Sequence, residues 1–137
     1  MKEFVIEALV DKLPDVLAFV DEQLEAADCP IKTQMQIDIS VEEIFVNIAN
    51  YAYPDGTGNV MIRIEVTAEP FAAQIIFIDS GVPYDPLSKT DPDVTLSAEE
   101  RQIGGLGIFM VKKSMDDVKY EFTDGHNVLT MRKGAVT

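Results

Sequence analysis

Two apolar segments of different character, separated by a short link, constrain this chain more than anything else in it. In the first, Val60, Ile62, Ile64 and Val66 alternate with Met61, Arg63, Glu65 and Thr67, the period of a half-buried strand. In the second, Ala72 to Ile78, the alternation dissolves into Ile75-Ile76-Phe77-Ile78, which predicts a strand at the centre of a sheet. Such a sheet needs a cover, and the rest of the chain supplies helical periods to build one. Leu13, Val16, Leu17, Val20 and Leu24 repeat at helical spacing, with Pro14 in a first turn that tolerates it, so a helix is expected to end near Ala27-Asp28. A second helix is expected from Pro30 to about Tyr53, with Ile37, Val41, Ile44, Phe45, Ile48 and Ala52 on its apolar face and Pro54-Asp55-Gly56-Thr57-Gly58 to stop it. An opening strand is read over Glu3 to Val10. Two closing strands, Val118 to Thr123 and Asn127 to Arg132, are joined through Asp124-Gly125-His126 as a hairpin.

The 137 residues fit one domain over 1–137, and no apolar run approaches the length of a membrane span, so a cytoplasmic protein is expected. The single cysteine, Cys29, makes no internal disulfide and is read as a small buried apolar side chain. A formal charge of −13 argues against direct contact with nucleic acid or an anionic membrane surface, and it makes a magnesium ion expected beside any bound triphosphate. The only histidine, His126, lies in the hairpin turn, which argues against histidine base catalysis.

Three places carry candidate chemistry. On the second helix Gln36, Ser40, Glu43, Asn47 and Asn50 form one polar stripe, with Glu42 off it. A stripe like this is either a solvated outer face or a functional one. Asp79-Ser80-Gly81 ends the central strand. Its carboxylate is either an ordinary turn residue bonded to its own backbone or an acceptor for a ligand amine such as that of adenine. After a long stretch rich in Pro, Asp, Ser and Thr, Gly104-Gly105-Leu106-Gly107 opens a third helix that runs through Ile108, Val111 and Met115. Glycines at a helix start bring free N–H groups and the positive end of the dipole close to a phosphate. The letters match neither the Walker A loop, which needs Gly-Lys-Ser/Thr, nor the dinucleotide fingerprint, which needs glycine where Met110 stands.

The order of these motifs, Glu43-x-x-x-Asn47, then Asp79-x-Gly81, then a long loop into Gly104-Gly105-Leu106-Gly107, resembles the GHKL ATPase superfamily with its Bergerat nucleotide fold. More closely, the chain resembles the small anti-sigma-factor serine kinases of bacteria. That similarity extends to Tyr51-Ala52-Tyr53-Pro54, to Gly81-Val82-Pro83-Tyr84-Asp85-Pro86 and to Glu100-Arg101. The resemblance implies a two-layer α/β sandwich, with a mixed, largely antiparallel sheet covered on one face by three main helices. It implies ATP and magnesium as cofactors, with Asn47 as magnesium ligand, Glu43 polarising the attacking hydroxyl and Asp79 reading adenine while Gly81 leaves room for the base. Gly104, Gly105 and Gly107, with Leu106 among them, would hold the phosphates beneath a lid, and Arg101 would reach the terminal phosphate. Where family members often carry His one turn after the magnesium Asn, this chain has Tyr51. The chain carries no dimerisation helix or phosphoacceptor histidine, so a complete sensor histidine kinase is not expected. The expected function is a protein serine/threonine kinase acting on an anti-sigma-factor antagonist, with a sigma factor as a second partner and a homodimer as the assembly. The rival is a nucleotide-gated binding protein without kinase activity.

Overall fold

The computed structural model describes residues 1–88 and 105–134. Five strands form one sheet: β1 (Lys2–Glu7), β2 (Asn59–Ala68), β3 (Phe71–Asp79), β4 (Asp117–Thr123) and β5 (His126–Gly134). The spatial order is β1-β2-β3-β5-β4 and each neighbouring pair is antiparallel. β3 is the central strand, as its apolar run predicts. Helices α1 (Leu13–Ala26), α2 (Ile31–Tyr51) and α3 (Gly105–Ser114) supply the second layer of the sandwich.

Period two along the strands explains the core. Ile62 pairs with Phe77 and Phe77 with Leu129, while Ile64 pairs with Ile75 and Ile75 with Met131, so two rows of large apolar side chains cross the sheet on one face. All six are buried, and against them lie Val16, Val20 and Leu24 of α1, Ile37, Val41, Ile44 and Phe45 of α2, and Ile108 and Val111 of α3. The far face of the sheet carries polar pairs, among them Arg63 with Glu3 at 3.5 Å and the Arg132 Nε–H donating to Gln74 Oε1 at 2.7 Å.

Local chemistry sets the boundaries. α1 stops where Asp28 takes a left-handed backbone (φ 54), the Asp28 N–H donates to Glu25 O and the Cys29 N–H reaches Leu24 O. Cys29 follows as a buried residue, the role its sequence context assigns it. Between β4 and β5, Asp124 and Gly125 both have positive φ (52 and 80), the conformation a two-residue hairpin turn requires. The opening strand is shorter than its alternation suggests. It ends at Glu7 because its partner β2 begins at Asn59, opposite Glu7; beyond that the Ala8 N–H donates to Gly58 O and the chain tightens into a 3-10 turn over Val10–Lys12. Val10 is accordingly half exposed. Among the described residues no helix is long and apolar enough to cross a membrane.

Candidate active site

The polar stripe of α2 is not a solvated face. Ser40 and Asn47 are buried, Gln36 and Glu43 are half-buried, and only Asn50 of the five is exposed, as is the off-stripe Glu42. The cover is α3. A Cβ added to Gly107 would lie 2.0 Å from Glu43 Oε2, so the glycine backbone is what lets α3 rest on the carboxylate. Burial first, and the charge of Glu42 second, push the Glu43 carboxyl above its ordinary range. One helical turn on, the Asn47 Nδ2 donates to Glu43 O at 2.9 Å. That bond occupies the donor end of the amide and leaves its oxygen as the end suited to a cation. Ser40 makes the corresponding bond from Oγ to Gln36 O, at 2.9 Å.

Asp79, at the end of β3, is 5% exposed. Its Oδ1 accepts two hydrogen bonds of 2.9 Å, one from the Gly81 N–H and one from Asn127 Nδ2. The first is the turn that an Asp-x-Gly sequence makes on its own, so the plain reading of this motif holds as far as it goes. What exceeds a turn is the setting. Asp79 and Asn47 line one cavity of about 30 Å³, whose apolar wall is Ile44, Ile48, Ala52, Phe77 and Leu129, and whose polar rim adds Tyr84, Tyr120 and Asn127. A few polar groups converging on an apolar pocket is the usual make-up of a small-molecule site.

Gly81 has a packing reason of its own. A Cβ there would lie 2.2 Å from the Ala52 carbonyl oxygen, and that same oxygen accepts the Val82 N–H at 2.8 Å. The missing side chain therefore lets the end of β3 close onto the end of α2. Nearby, Tyr53 Oη donates to Asn59 O at 2.6 Å and accepts the Ser80 N–H at 2.9 Å, tying the segment that leaves α2 to β2 and the end of β3. Tyr51 stacks on Tyr84 with ring centroids 5.2 Å apart.

The fold thus brings Asn47 and Asp79 to one cavity and Glu43 against Gly107, while Gly105 and Leu106 form the first turn of α3. Arg101 and Gly104 lie outside the described residues. Sequence reasoning passed over Asn127, although its signal was legible: Asn127, Leu129 and Met131 fall on the core face at period two, which puts an amide where an apolar residue is the norm. Among the described residues no three His, Cys, Asp or Glu side chains converge as a metal position.

The chain is similar to several known protein kinases. The serine/threonine-protein kinase BtrW of Bordetella bronchiseptica is 25% identical over 101 residues, which cover 73% of this chain and 70% of that protein. The serine-protein kinase RsbW of Listeria monocytogenes is 29% identical over 97 residues, with 68% and 61% covered. RsbW of Bacillus cereus is 28% identical over 95 residues, with 66% and 58% covered. The chain therefore spans about three fifths of the length of these two RsbW proteins. The histidine kinase-like ATPase domain matches residues 6–133, from within β1 to within β5. That match takes in α2, the end of β3 and α3, the elements that build the cavity and the Glu43 contact, and this chain belongs to the histidine kinase-like ATPase domain family.

Proposed function

We propose that this chain, residues 1–137 as a single domain, is an ATP-dependent serine/threonine protein kinase and anti-sigma factor that phosphorylates a small anti-sigma-factor antagonist. The observation that carries the reading is the convergence of a buried amide, Asn47, and a buried carboxylate, Asp79, on one cavity, with Glu43 one turn from Asn47 and pressed against the first turns of α3. Phosphoryl transfer asks mainly for positioning and charge neutralisation, with a carboxylate to orient or deprotonate the nucleophile. Bound Mg-ATP supplies the phosphoryl group and the cation that neutralises it. Asn47 fits magnesium, which takes few protein ligands and accepts a neutral oxygen. Asp79 accepts the adenine amine. Glu43, its proton affinity raised by burial, sits nearer the working pH range of a general base than an exposed carboxylate does. Gly104, Gly105, Leu106 and Gly107 cradle the phosphates, and Arg101 reaches the terminal one. A sigma factor as second partner, a homodimer and a cytoplasmic location complete the proposal.

One observation favours the rival, a nucleotide-gated binding protein. Tyr51, where related kinases often carry His, is stacked on Tyr84 at the rim of the cavity. Incubation with labelled ATP and a purified antagonist protein separates the two. The kinase labels the antagonist and fails to label its Ser-to-Ala acceptor variant. Binding of nucleotide and antagonist with no transfer of label would support the rival instead.

A further inference from the structure

Asn127 is 6% exposed and stands opposite Asp79 in the β3–β5 register. Its amide makes contacts of fixed polarity in four directions. Nδ2 donates to Asp79 Oδ1 at 2.9 Å and to Val82 O at 2.9 Å; Oδ1 accepts the Tyr84 N–H at 3.2 Å and the Tyr120 hydroxyl. A carbonyl oxygen only accepts and a backbone N–H only donates, so Val82 and Tyr84 together forbid a flipped amide. With Val82 and Tyr84 in place, Asp79 therefore meets a donor from this side. With the Gly81 N–H also on Oδ1, the second carboxylate oxygen, Oδ2, is the one that neither bond occupies.

The same amide reaches the segment that follows β3. A purine is far larger than a cavity of about 30 Å³, so entry of a base requires part of the wall to shift, and Tyr84 and Pro86 belong to the connecting segment rather than to a strand or α-helix. Asn127 holds Val82 and Tyr84 with one end and Asp79 with the other.

Resting on the reading of Asp79 as the base acceptor, we infer that Asn127 is the positioning residue for base selection: its amide, held by the Val82–Tyr84 segment, sets the rotation of the Asp79 carboxylate and offers Oδ2 to the ligand amine. Asn127 acts through Asp79. The titratable groups around the pair are Asp79 itself, Tyr120 and Tyr53, with Asp85 near Tyr120.

Calorimetric titration with ATP and GTP tests this on wild type, Asn127→Leu, Asn127→Asp and Asp79→Ala. Asn127→Leu keeps the side-chain size and removes the side-chain hydrogen bonds; ATP affinity falls about ten- to a hundredfold and the preference over GTP shrinks toward unity. Asn127→Asp places two carboxylates side by side, an arrangement that is tolerated when the pair shares a proton and is repulsive once that proton is lost as pH rises. That variant binds ATP less tightly as pH rises and recovers toward wild type as pH falls, a recovery the wild type does not show. ATP affinity and base preference within about twofold of wild type in Asn127→Leu, with only a lower melting temperature, would reduce Asn127 to a structural role. If Asn127→Leu does not fold, absence of the acid recovery in Asn127→Asp overturns the inference by itself. An Asp79→Ala variant that binds and discriminates like wild type would instead remove the base-acceptor reading beneath it. Loss of preference in Asp79→Ala with none in Asn127→Leu removes the positioning role alone.

Discussion

Gly107 of α3 and Glu43 of α2 are fitted to each other: a Cβ on the glycine would lie 2.0 Å from Glu43 Oε2 and 2.6 Å from its Cδ. The obstructing atoms are the end of a flexible side chain, so Gly107→Ala has room to fold by displacing the carboxylate. Alanine also favours the helix by about 1 kcal/mol over glycine, which offsets the crowding. The variant is expected to melt within a few degrees of wild type while losing about tenfold or more in phosphoryl transfer, because a carboxylate moved by an ångström no longer meets the nucleophile. Thermal melting beside a single-turnover transfer assay checks both halves. A wild-type transfer rate in a folded Gly107→Ala protein would show that the position of Glu43 is not critical.

The relation between these two residues was not legible in the sequence, and the reason is physical. Period and composition report what each segment does with its own faces. They located β2 and β3, the helix that carries Glu43 and Asn47, and the strand end that carries Asp79, because apolar spacing is local. What covers a face is non-local. The stripe from Gln36 to Asn50 read more readily as solvated, and the packing of α3 across Glu43 is what no local pattern in α2 reports. Gly81 likewise invited a reading of open space beside Asp79, whereas its neighbour is the Ala52 carbonyl, residues away in sequence at the end of α2. The early end of β1 depended on where β2 begins, which no feature of residues 3–10 encodes.

Asp38 of α2 is expected to make the fold sensitive to pH. Gln34 Nε2 donates to Asp21 Oδ1 at 3.1 Å and to Glu25 Oε2 at 3.0 Å, gathering two α1 carboxylates beside Asp38. Burial, then the hydrogen bond and charge of Asp21, then the charge of Glu25, push the Asp38 carboxyl up from 3.8 to about 8. A raised carboxyl means that the folded chain holds a proton that the unfolded chain has released, so stability is expected to fall as pH rises through this range. Urea denaturation across this range is expected to show the decline in wild type and a much flatter profile in Asp38→Asn. An equally steep decline in the variant would contradict the assignment.

Along α2 the same kind of truncation should have opposite consequences on opposite faces. Phe45 is fully buried between the helices and the sheet, and Phe45→Ala is expected to cost about 3–5 kcal/mol. Met35 is 59% exposed, and Met35→Ala should stay within about 0.5 kcal/mol of wild type. Chemical denaturation of both variants measures the contrast, and comparable losses would mean that the Met35 face is covered by something in solution.

In the proposed kinase one turn of α2 divides the labour, Glu43 serving the chemistry and Asn47 nucleotide binding. Single-turnover phosphoryl transfer to an antagonist protein, measured beside calorimetric Mg-ATP affinity, tests it directly. Glu43→Gln is expected to bind Mg-ATP within about threefold of wild type and to lose about a hundredfold or more in transfer. Asn47→Ala is expected to weaken magnesium-dependent binding itself, and Glu42→Gln, altering an exposed carboxylate off the stripe, to change little. Transfer at the wild-type rate by Glu43→Gln, or equal behaviour of the Glu42 and Glu43 variants, would contradict the account and leave a nucleotide-gated binding protein in its place.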